Sequence, residues 1–478
     1  MKLAIVASEA APFLKTGGLG DVMQALPEAL SRLPKNEVSL FLPCYSRMKE
    51  SGKFPLEWLD SFPVTLNWRQ EPAALYRLKS RKRKLQVYFI ENARYFDRDG
   101  IYGFPDDGER YAFFSKAVLT AMEKLGMQPD VINCNDWQTA LIPLLLKEQF
   151  GASFPETKTV FTIHNIEYQG WCGMDFGREM LGLPERCDEV LRFDGNVNFM
   201  KSAIVTADKV STVSANYAHE LQYPYYAHGL AGVLADRAAD FSGITNGIDM
   251  EVFDPARPEL IDTPFCADTM REGKRQNKLA LQKKLGLPES ADTAMLAMVT
   301  RLAGHKGIDL LCYIAERLMQ ENIQLVIIGT GEEKYEWFLS GLAERFPDKV
   351  SVNLLFDAAL ANQVYAASDL YLMPSKSEPC GLSQLIAMRF GSVPVVNATG
   401  GLKDTVQPYN EQDGTGRGFT FQSYNADDFL DAIRRALGVY SGAPEKWQAL
   451  AENDMRQDFS WKEPAKQYME LYQSAIKG

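Results

Sequence analysis

Short apolar runs alternate with segments of helical apolar spacing in the first half of the chain, which is typical of a parallel α/β sheet. The runs that predict strands are residues 3–7, 38–42, 131–134, 159–163 and 209–213. The segments that predict helices are residues 20–33 and 137–150, and Ser214 is placed to cap a further helix.

The second half repeats this alternation with its own set of elements. Its predicted strands are residues 294–299, 324–328, 370–374 and 393–397, and its predicted helices are residues 308–320, 333–345 and 382–390. Each half therefore reads as its own doubly wound α/β unit.

A chain of 478 residues is long enough for two to four domains. We place a first Rossmann-like domain at residues 1–245 and a second at residues 265–459. The linker between them, residues 246–264, contains Asn246-Gly247-Ile248-Asp249 and a proline-bearing stretch.

The composition narrows the functional classes. A net charge of −11 disfavours sequence-independent binding to nucleic acid, because such binding needs a positively charged surface. The seven cysteines are scattered without a Cys-x-x-Cys, and the four histidines lack a metal-binding spacing, so we expect reduced thiols, a cytoplasmic protein and no metal site. No apolar run approaches the ~20 residues of a membrane helix, and residues 3–7 are too short for a signal segment.

Three glycine-rich loops, residues 15–21, 378–383 and 399–404, each follow a predicted strand and precede a predicted helix. Glycine lets a backbone approach a ligand, and helix starts offer unpaired N–H groups, so such loops favour anion binding. A tight strand-to-helix turn also needs glycine, so one loop alone decides little. The N–H groups at Gly18, Gly381, Gly400 and Gly401 are the candidate donors.

Two cations follow the strand at residues 294–299. Arg301 and Lys306 are five residues apart around a glycine turn, which suits two phosphates of a diphosphate, although a surface ion pair would also explain them. Gly329-Thr330-Gly331 fails as a nicotinamide-dinucleotide fingerprint because Lys334 stands at the third glycine position. Residues 77–84 form a basic run that we interpret as the tip of a hairpin.

Together these segments resemble the signatures of bacterial glycogen synthases and plant starch synthases along nearly the whole chain. The matching segments are Ser8-Glu9 through Lys15-Thr16-Gly17-Gly18-Leu19-Gly20-Asp21, His164-Asn165 through Gly170, Asn246 through Asp249, Arg301 through Gly307, Pro374-Ser375 through Glu378-Pro379-Cys380-Gly381-Leu382, and Thr399 through Leu402.

The resemblance implies a GT-B fold, in which two Rossmann-like domains face a deep cleft and the last helix returns to the first domain. Residues 461–476 would be that helix, with Ser460 as its N-cap. The implied reaction moves glucose from ADP-glucose to the non-reducing 4-hydroxyl of an α-1,4-glucan such as glycogen, with retention and without a metal or cofactor. Neither nucleic acid nor membrane is an implied partner.

The resemblance also implies a set of site residues. The catalytic candidates are Glu378, His164, Arg301 and Lys306. The donor-binding candidates are Lys15, Gly18, Asp21, Asn246, Phe356, Cys380, Gly381, Leu382, Ser383, Thr399, Gly400 and Gly401. The acceptor-binding candidates are Asp136, Trp137, Tyr95 and Tyr168, with Trp171 as a further ring that could stack on glucose.

Two alternatives stay open from the sequence. One is a different GT-B sugar-nucleotide enzyme, such as an epimerase or a transferase that uses UDP-glucose. The other is a catalytically silent glucan-binding protein. Binding alone needs no diphosphate clamp, so this alternative is disfavoured by the intact set of Lys15, His164, Arg301, Lys306 and Glu378.

Overall fold

The computed structural model describes residues 1–80 and 84–478 and divides them into two compact units. The first unit comprises Met1–Asn246 together with Trp461–Gly478, and the second comprises Gly247–Ser460. Each unit is an α/β domain built on one large sheet. Within the described residues, no helix combines the length and the apolarity that a membrane crossing requires.

The first unit contains a nine-stranded sheet in the order β12-β11-β7-β6-β1-β2-β5-β4-β3. Its strands are β1 (Lys2–Val6), β2 (Glu37–Pro43), β3 (Leu56–Leu66), β4 (Arg69–Leu78), β5 (Leu85–Glu91), β6 (Val131–Asn135), β7 (Lys158–Ile163), β11 (Lys209–Thr212) and β12 (Phe241–Gly243); a small separate sheet holds β8 (Trp171–Cys172), β9 (Arg192–Phe193) and β10 (Asn196–Asn198). Neighbours are parallel except at the β3–β4 and β4–β5 pairs. The predicted hairpin is confirmed by β4 and β5, while residues 81–83 of the basic run lie outside the described residues.

Helices cover both faces of this sheet, as the side chains of β1 show. Ala4 and Val6 join one apolar cluster, whereas Leu3 and Ile5 join another on the opposite face. The helices are α1 (Gly18–Arg32), α2 (Ser46–Glu50), α3 (Ala93–Phe96), α4 (Asp107–Lys124), α5 (Ile142–Leu145), α6 (Phe176–Glu179), α7 (Asp188–Leu191), α8 (Phe199–Thr206), α9 (Ala215–Glu220), α10 (Ala231–Ala235) and α19 (Lys462–Lys477).

The last helix, α19, packs on the first unit. Tyr468 and Tyr472 are buried in the apolar cluster that contains Leu3 and Ile5, and the Tyr472 hydroxyl donates to Asn133 Oδ1 at 3.1 Å. The expectation that Ser460 caps this helix is wrong, because α19 begins at Lys462 and Trp461 occupies the N-cap position.

The second unit has a six-stranded, all-parallel sheet in the order β15-β14-β13-β16-β17-β18. Its strands are β13 (Ala294–Val299), β14 (Ile323–Ile328), β15 (Val350–Asn353), β16 (Leu370–Met373), β17 (Val393–Asn397) and β18 (Phe419–Phe421). Its helices are α11 (Met270–Leu285), α12 (Ile308–Leu318), α13 (Glu333–Arg345), α14 (Ala358–Ala367), α15 (Ser383–Arg389), α16 (Gly400–Thr405), α17 (Ala426–Gly442) and α18 (Pro444–Met455). The sequence places its candidate residues where these strands end, the edge at which doubly wound sheets bind ligands.

Candidate active site

In the second unit, Glu378 lies at the centre of a polar cluster beyond the carboxyl end of β16. Lys306 Nζ donates to Glu378 Oε2 at 2.7 Å, and Ser375 Oγ donates to the same oxygen at 3.0 Å. The Glu378 side chain is 9% exposed and the Lys306 side chain 19%. No other group within residues 1–80 and 84–478 donates to this carboxylate, so Oε1 keeps its acceptor capacity for a ligand.

A cavity of about 50 Å³ adjoins this cluster. Its polar lining includes Lys306, Ser375, Glu378 and Ser383, and Gly381 and Leu382 also line it. The structure thus brings one predicted catalytic cation, the predicted catalytic carboxylate and three predicted donor-binding residues to one opening.

Glycines in this region are required by close backbone packing. Gly307 has φ +76°, and a Cβ there would lie 2.1 Å from the Pro374 carbonyl oxygen. Without a side chain, the loop that carries Lys306 can therefore lie against the end of β16.

Gly400 and Gly401 serve the loop that carries Glu378. A Cβ on Gly400 would lie 2.0 Å from the Glu378 carbonyl oxygen, and one on Gly401 would lie 2.3 Å from the Cys380 carbonyl oxygen. The Gly401 N–H donates to the carbonyls of Glu378 and Pro379 at 3.0 and 3.2 Å. This corrects the expectation that the Gly401 N–H faces an anion, because the backbone of the Glu378 loop already uses it.

The remaining candidates of this unit differ in exposure. Arg301 is exposed after β13, and its guanidinium forms no ion pair with any residue among 1–80 and 84–478. The Phe356 ring is 77% exposed between β15 and α14, and Cys380 and Thr399 are buried. An open cation and an open ring suit a phosphate and a nucleobase, respectively.

In the first unit, Asp136 and His164 meet where β6 and β7 end. Asp136 Oδ1 accepts from the backbone N–H groups of His164 at 2.7 Å and Asn165 at 3.2 Å. Asp136 has φ +58° and ψ 178°, a region that non-glycine residues rarely adopt and that costs about 1–3 kcal/mol. Strain of this kind concentrates at functional sites, which supports a site at this edge.

Burial shifts the pKa values of Asp136 and His164. Loss of solvation raises the pKa of Asp136 to about 7, against the two N–H groups that lower it, and loss of solvation lowers the pKa of His164 to about 3. His164 is therefore neutral at pH 7. Its Nε2 lies 2.9 Å from Asn135 Oδ1.

The first glycine loop holds its charged residues in pairs. Lys15 Nζ donates to Asp21 Oδ1 at 2.6 Å, and both side chains are about one-third exposed. Glu9 accepts from the Thr16 N–H at 2.5 Å and from Thr16 Oγ1 at 2.9 Å, and burial raises the Glu9 pKa. Gly18 is the first residue of α1.

The aromatic candidates divide into open and buried rings. Tyr168 is 49% exposed and Trp171 is 47% exposed, so each can offer a face to a sugar. Trp137 packs edge-on against Tyr111 at 5.2 Å. Tyr95 is fully buried and its hydroxyl donates to a carboxylate oxygen of Glu109, so the structure places it in the core rather than on a sugar-binding surface.

Three polar residues that the sequence left without a role belong to these clusters. Ser375 and Glu9 lie within the segments that resemble the family, but nothing in their residue type distinguishes them from solvated side chains. Asn135 directly precedes Asp136, which is a positional signal. Asn246, a predicted donor-binding residue, is buried with an Oδ1 that has no hydrogen-bond partner among the described residues.

Comparison with known proteins agrees with this architecture. Residues 2–236 match the family described as the starch synthase catalytic domain, and residues 280–454 match glycosyl transferases group 1. The glycogen synthase of Clostridium beijerinckii is 44% identical, over 99% of this chain and 98% of that protein. The glycogen synthase of Exiguobacterium sibiricum is 45% identical over 99% and 98%.

Two solved structures extend the comparison to the fold. The catalytic domain of starch synthase IV from Arabidopsis thaliana, solved with ADP and acarbose, has a TM-score of 0.92 at 34% identity and covers 100% of this chain and 99% of its own. A sucrose-phosphate synthase from Thermosynechococcus elongatus shares the fold, with a TM-score of 0.62 at 18% identity and coverage of 100% and 99%. The GT-B prediction is thereby confirmed. With relatives this similar along its full length, the chain belongs to the family of bacterial glycogen synthases and plant starch synthases and is a glycosyltransferase.

Proposed function

We propose that this glycogen synthase transfers glucose from ADP-glucose to the non-reducing 4-hydroxyl of an α-1,4-glucan, with retention and without a metal or cofactor, in the cytoplasm. The observation that carries the proposal is the Lys306–Glu378–Ser375 cluster beside a cavity at the carboxyl edge of the second sheet, in which Glu378 and Ser375 are buried. The starch synthase with TM-score 0.92 was solved with ADP, which supports an adenine nucleotide as the leaving group.

Lys306 suits a dual role in this reaction. An ammonium has three donor positions, and in this structure one reaches Glu378 at 2.7 Å. The others can donate to diphosphate oxygens, while the unpaired guanidinium of Arg301 offers a bidentate contact. These cations stabilise the negative charge that grows as the bond from glucose C1 to the diphosphate breaks.

Glu378 and His164 suit the glucosyl side. Glu378 Oε1 can accept from donor hydroxyls or face the positive charge that develops at C1. The Asn165 N–H points to Asp136, and in a trans peptide the preceding carbonyl points the opposite way, so the His164 carbonyl oxygen points away from that carboxylate. This oxygen is the second group that we assign to the cationic centre.

The bond changes balance without a further reactant. The electron pair of the C1–O bond leaves with ADP, the acceptor O4 forms a new bond to C1 on the same face, and the departing diphosphate takes the hydroxyl proton. Tyr168 and Trp171 in the first unit are the exposed rings for the glucan, and Phe356 in the second is the exposed ring for the nucleobase. Lys15, Asp21 and Asn246 remain predicted donor contacts.

The test uses glucose-labelled ADP-glucose or UDP-glucose, glycogen and EDTA. We expect label to enter the polymer from ADP-glucose and to be released by an exo-acting amylase that cuts α-1,4 bonds from the non-reducing end. Preference for UDP-glucose would overturn the donor assignment, and loss of activity with EDTA would overturn the metal-free assignment. Glycogen binding without transfer from either donor would instead indicate a silent glucan-binding protein.

Two variants test the assigned residues. Glu378→Gln and Arg301→Ala should each lower kcat by at least ~10²-fold, because each removes a charge that acts in the transition state. Arg317→Ala is the matched control: Arg317 is an arginine of the same unit, paired with Asp427 on the surface at 2.6 Å, and its loss should leave kcat unchanged. Near-native kcat in either test variant would contradict its role.

A further inference from the structure

The side chain of Asn135 has a fixed orientation in the core of the first unit. Its Nδ2 lies 3.1 Å from the Val6 carbonyl oxygen and 3.2 Å from the Asn133 carbonyl oxygen. Two carbonyl oxygens can only accept, so the atom that faces them must be the amide NH₂ and not the amide oxygen. Asn135 is fully buried, so water does not compete for these bonds.

This orientation decides which nitrogen of His164 carries the proton. The opposite atom of the amide, Oδ1, lies 2.9 Å from His164 Nε2. An amide oxygen cannot donate, so Nε2 must carry the hydrogen. In a neutral imidazole the other nitrogen, Nδ1, then keeps a lone pair, and it has no hydrogen-bond partner among residues 1–80 and 84–478.

We propose that Asn135 is a positioning residue that holds His164 in the Nε2–H tautomer, so that Nδ1 accepts a hydrogen bond from a hydroxyl of the reacting sugar. The hydroxyl contact rests on the proposed function, whereas the tautomer rests on the geometry alone. Asn135 and Asp136, adjacent in sequence, thus fix the ring and the backbone of His164, respectively.

The direct test is nitrogen NMR of the full chain with ¹⁵N-labelled histidine and no ligand. The chain has four histidines, and loss of one set of signals in His164→Gln assigns the relevant ring. Nε2 couples to both carbon-bound ring protons, so it can be told from Nδ1. We expect a protonated-type shift for Nε2 and an unprotonated-type shift for Nδ1; the reverse pattern would overturn the proposal.

Asn135→Asp tests the consequence for catalysis. A carboxylate beside Nε2–H stabilises the imidazolium, so the His164 pKa should rise and Nδ1 should become protonated at lower pH. The variant should lose about tenfold in kcat below the new pKa, the size of one lost hydrogen bond, and recover as pH rises. Asp136, which holds the His164 backbone and has a pKa of about 7, titrates in both proteins, so the profile is compared with that of the wild type. If Asn135 is needed only for folding, the variant should keep the wild-type pH profile.

Asn133→Asp is the matched control. Asn133 lies two residues earlier on β6, is buried, and bonds to Val160, Thr162 and Tyr472 rather than to His164. It should leave the His164 NMR signals and the shape of the pH profile unchanged even if the melting temperature falls. An unchanged His164 titration in Asn135→Asp would overturn the proposal.

The outcomes separate this proposal from the proposed function. If Asn135→Asp fails to fold, the spectrum of the wild-type chain still decides the tautomer. If that spectrum shows Nε2–H but no glucan is labelled from either donor, the proposed function fails and the tautomer assignment stands.

Discussion

Replacing Gly401 by alanine tests whether backbone packing in the second unit sets the position of Glu378. Gly401 follows Gly400 at the start of α16, and its φ lies outside the left-handed region, so alanine adds no backbone strain. The added Cβ would lie 2.3 Å from the Cys380 carbonyl oxygen and 2.4 Å from the Cys380 Cα. The perturbation is therefore purely steric.

The size of the effect follows from these distances. An ordinary contact begins at 3.4 Å, so the added Cβ and the Cys380 carbonyl oxygen must separate by 3.4 − 2.3 = 1.1 Å. The same loop bonds through the Glu378 and Pro379 carbonyls to the Gly401 N–H, so Glu378 moves with it. A misplacement of ~1 Å at a reacting centre can cost ~10²-fold in rate, and overpacking a tight site costs about 1–3 kcal/mol of stability.

Initial rates of ADP release at saturating donor and glycogen, together with urea unfolding, measure both quantities. Gly438→Ala is the control, because Gly438 is exposed within α17 and a Cβ there would meet nothing within 4 Å. We expect the control to keep its kcat and gain about 0.5–1 kcal/mol. A kcat for Gly401→Ala within threefold of the wild type would refute the reasoning, whatever its stability.

Two further predictions concern charges at the two clusters. The first is a double-mutant cycle of Lys306→Met and Glu378→Gln, measured by urea unfolding. It should give a coupling free energy of about 1–3 kcal/mol, because the Lys306 Nζ and Glu378 Oε2 atoms are 2.7 Å apart. Additivity of the two single substitutions within ~0.5 kcal/mol would show that the pair does not form in solution. Burial lowers the pKa of His164 from 6.5 to about 3 in the folded protein. On acidification below pH 6.5 the unfolded chain therefore binds a proton that the native state does not bind, and stability falls. His164→Gln should therefore lose stability less steeply with falling pH in unfolding titrations between pH 6.5 and 5. The difference in slope should approach about 1.4 kcal/mol per pH unit at the acidic end of this range. Parallel curves for the two proteins would count against a buried neutral imidazole.

Much of the fold can be predicted from the sequence where burial alone decides the pattern. The strands Ala294–Val299 and Val393–Asn397 have the predicted bounds, because strands covered on both faces read as uninterrupted apolar runs. Ser214 caps a helix as expected, and its hydroxyl accepts from the Tyr217 N–H at 3.1 Å.

Predictions from the sequence are wrong where a local feature interrupts a regular pattern. The single helix expected over residues 137–150 is instead a 3₁₀ turn at Trp137–Thr139, α5 and a π-helical turn at Leu146–Phe150. Pro143 explains the break, since it has no N–H to bond the carbonyl four residues earlier. The edge strand β3 was not predicted, although Phe62, Val64 and Leu66 alternate with exposed residues.

The site shows a different limit, because residue type does not reveal orientation. Tyr95 and Tyr168 were equal candidates for sugar stacking, yet one is fully buried and the other about half exposed. The sequence predicts no role for Ser375 or Asn135, because the role of each depends on which atoms face its side chain in the folded protein.

Many glycines in these loops are needed for close backbone packing, so their number is a poor guide to how many residues of a loop contact a ligand. In the second unit, Gly307 and Gly400 must lack a side chain, because a Cβ on either residue would lie about 2 Å from a backbone carbonyl oxygen. A Cβ on Gly401 would likewise clash with the Cys380 backbone, and the Gly401 N–H already donates to the Glu378 and Pro379 carbonyls. These glycines position Lys306 and Glu378, and the Gly401 N–H is not free to bind an anion. We therefore expect Arg301 and Lys306 to contribute more than this loop amide to stabilising a departing diphosphate. Arginine and lysine substitutions should accordingly cost more in kcat than any change that removes a single loop N–H without moving the backbone.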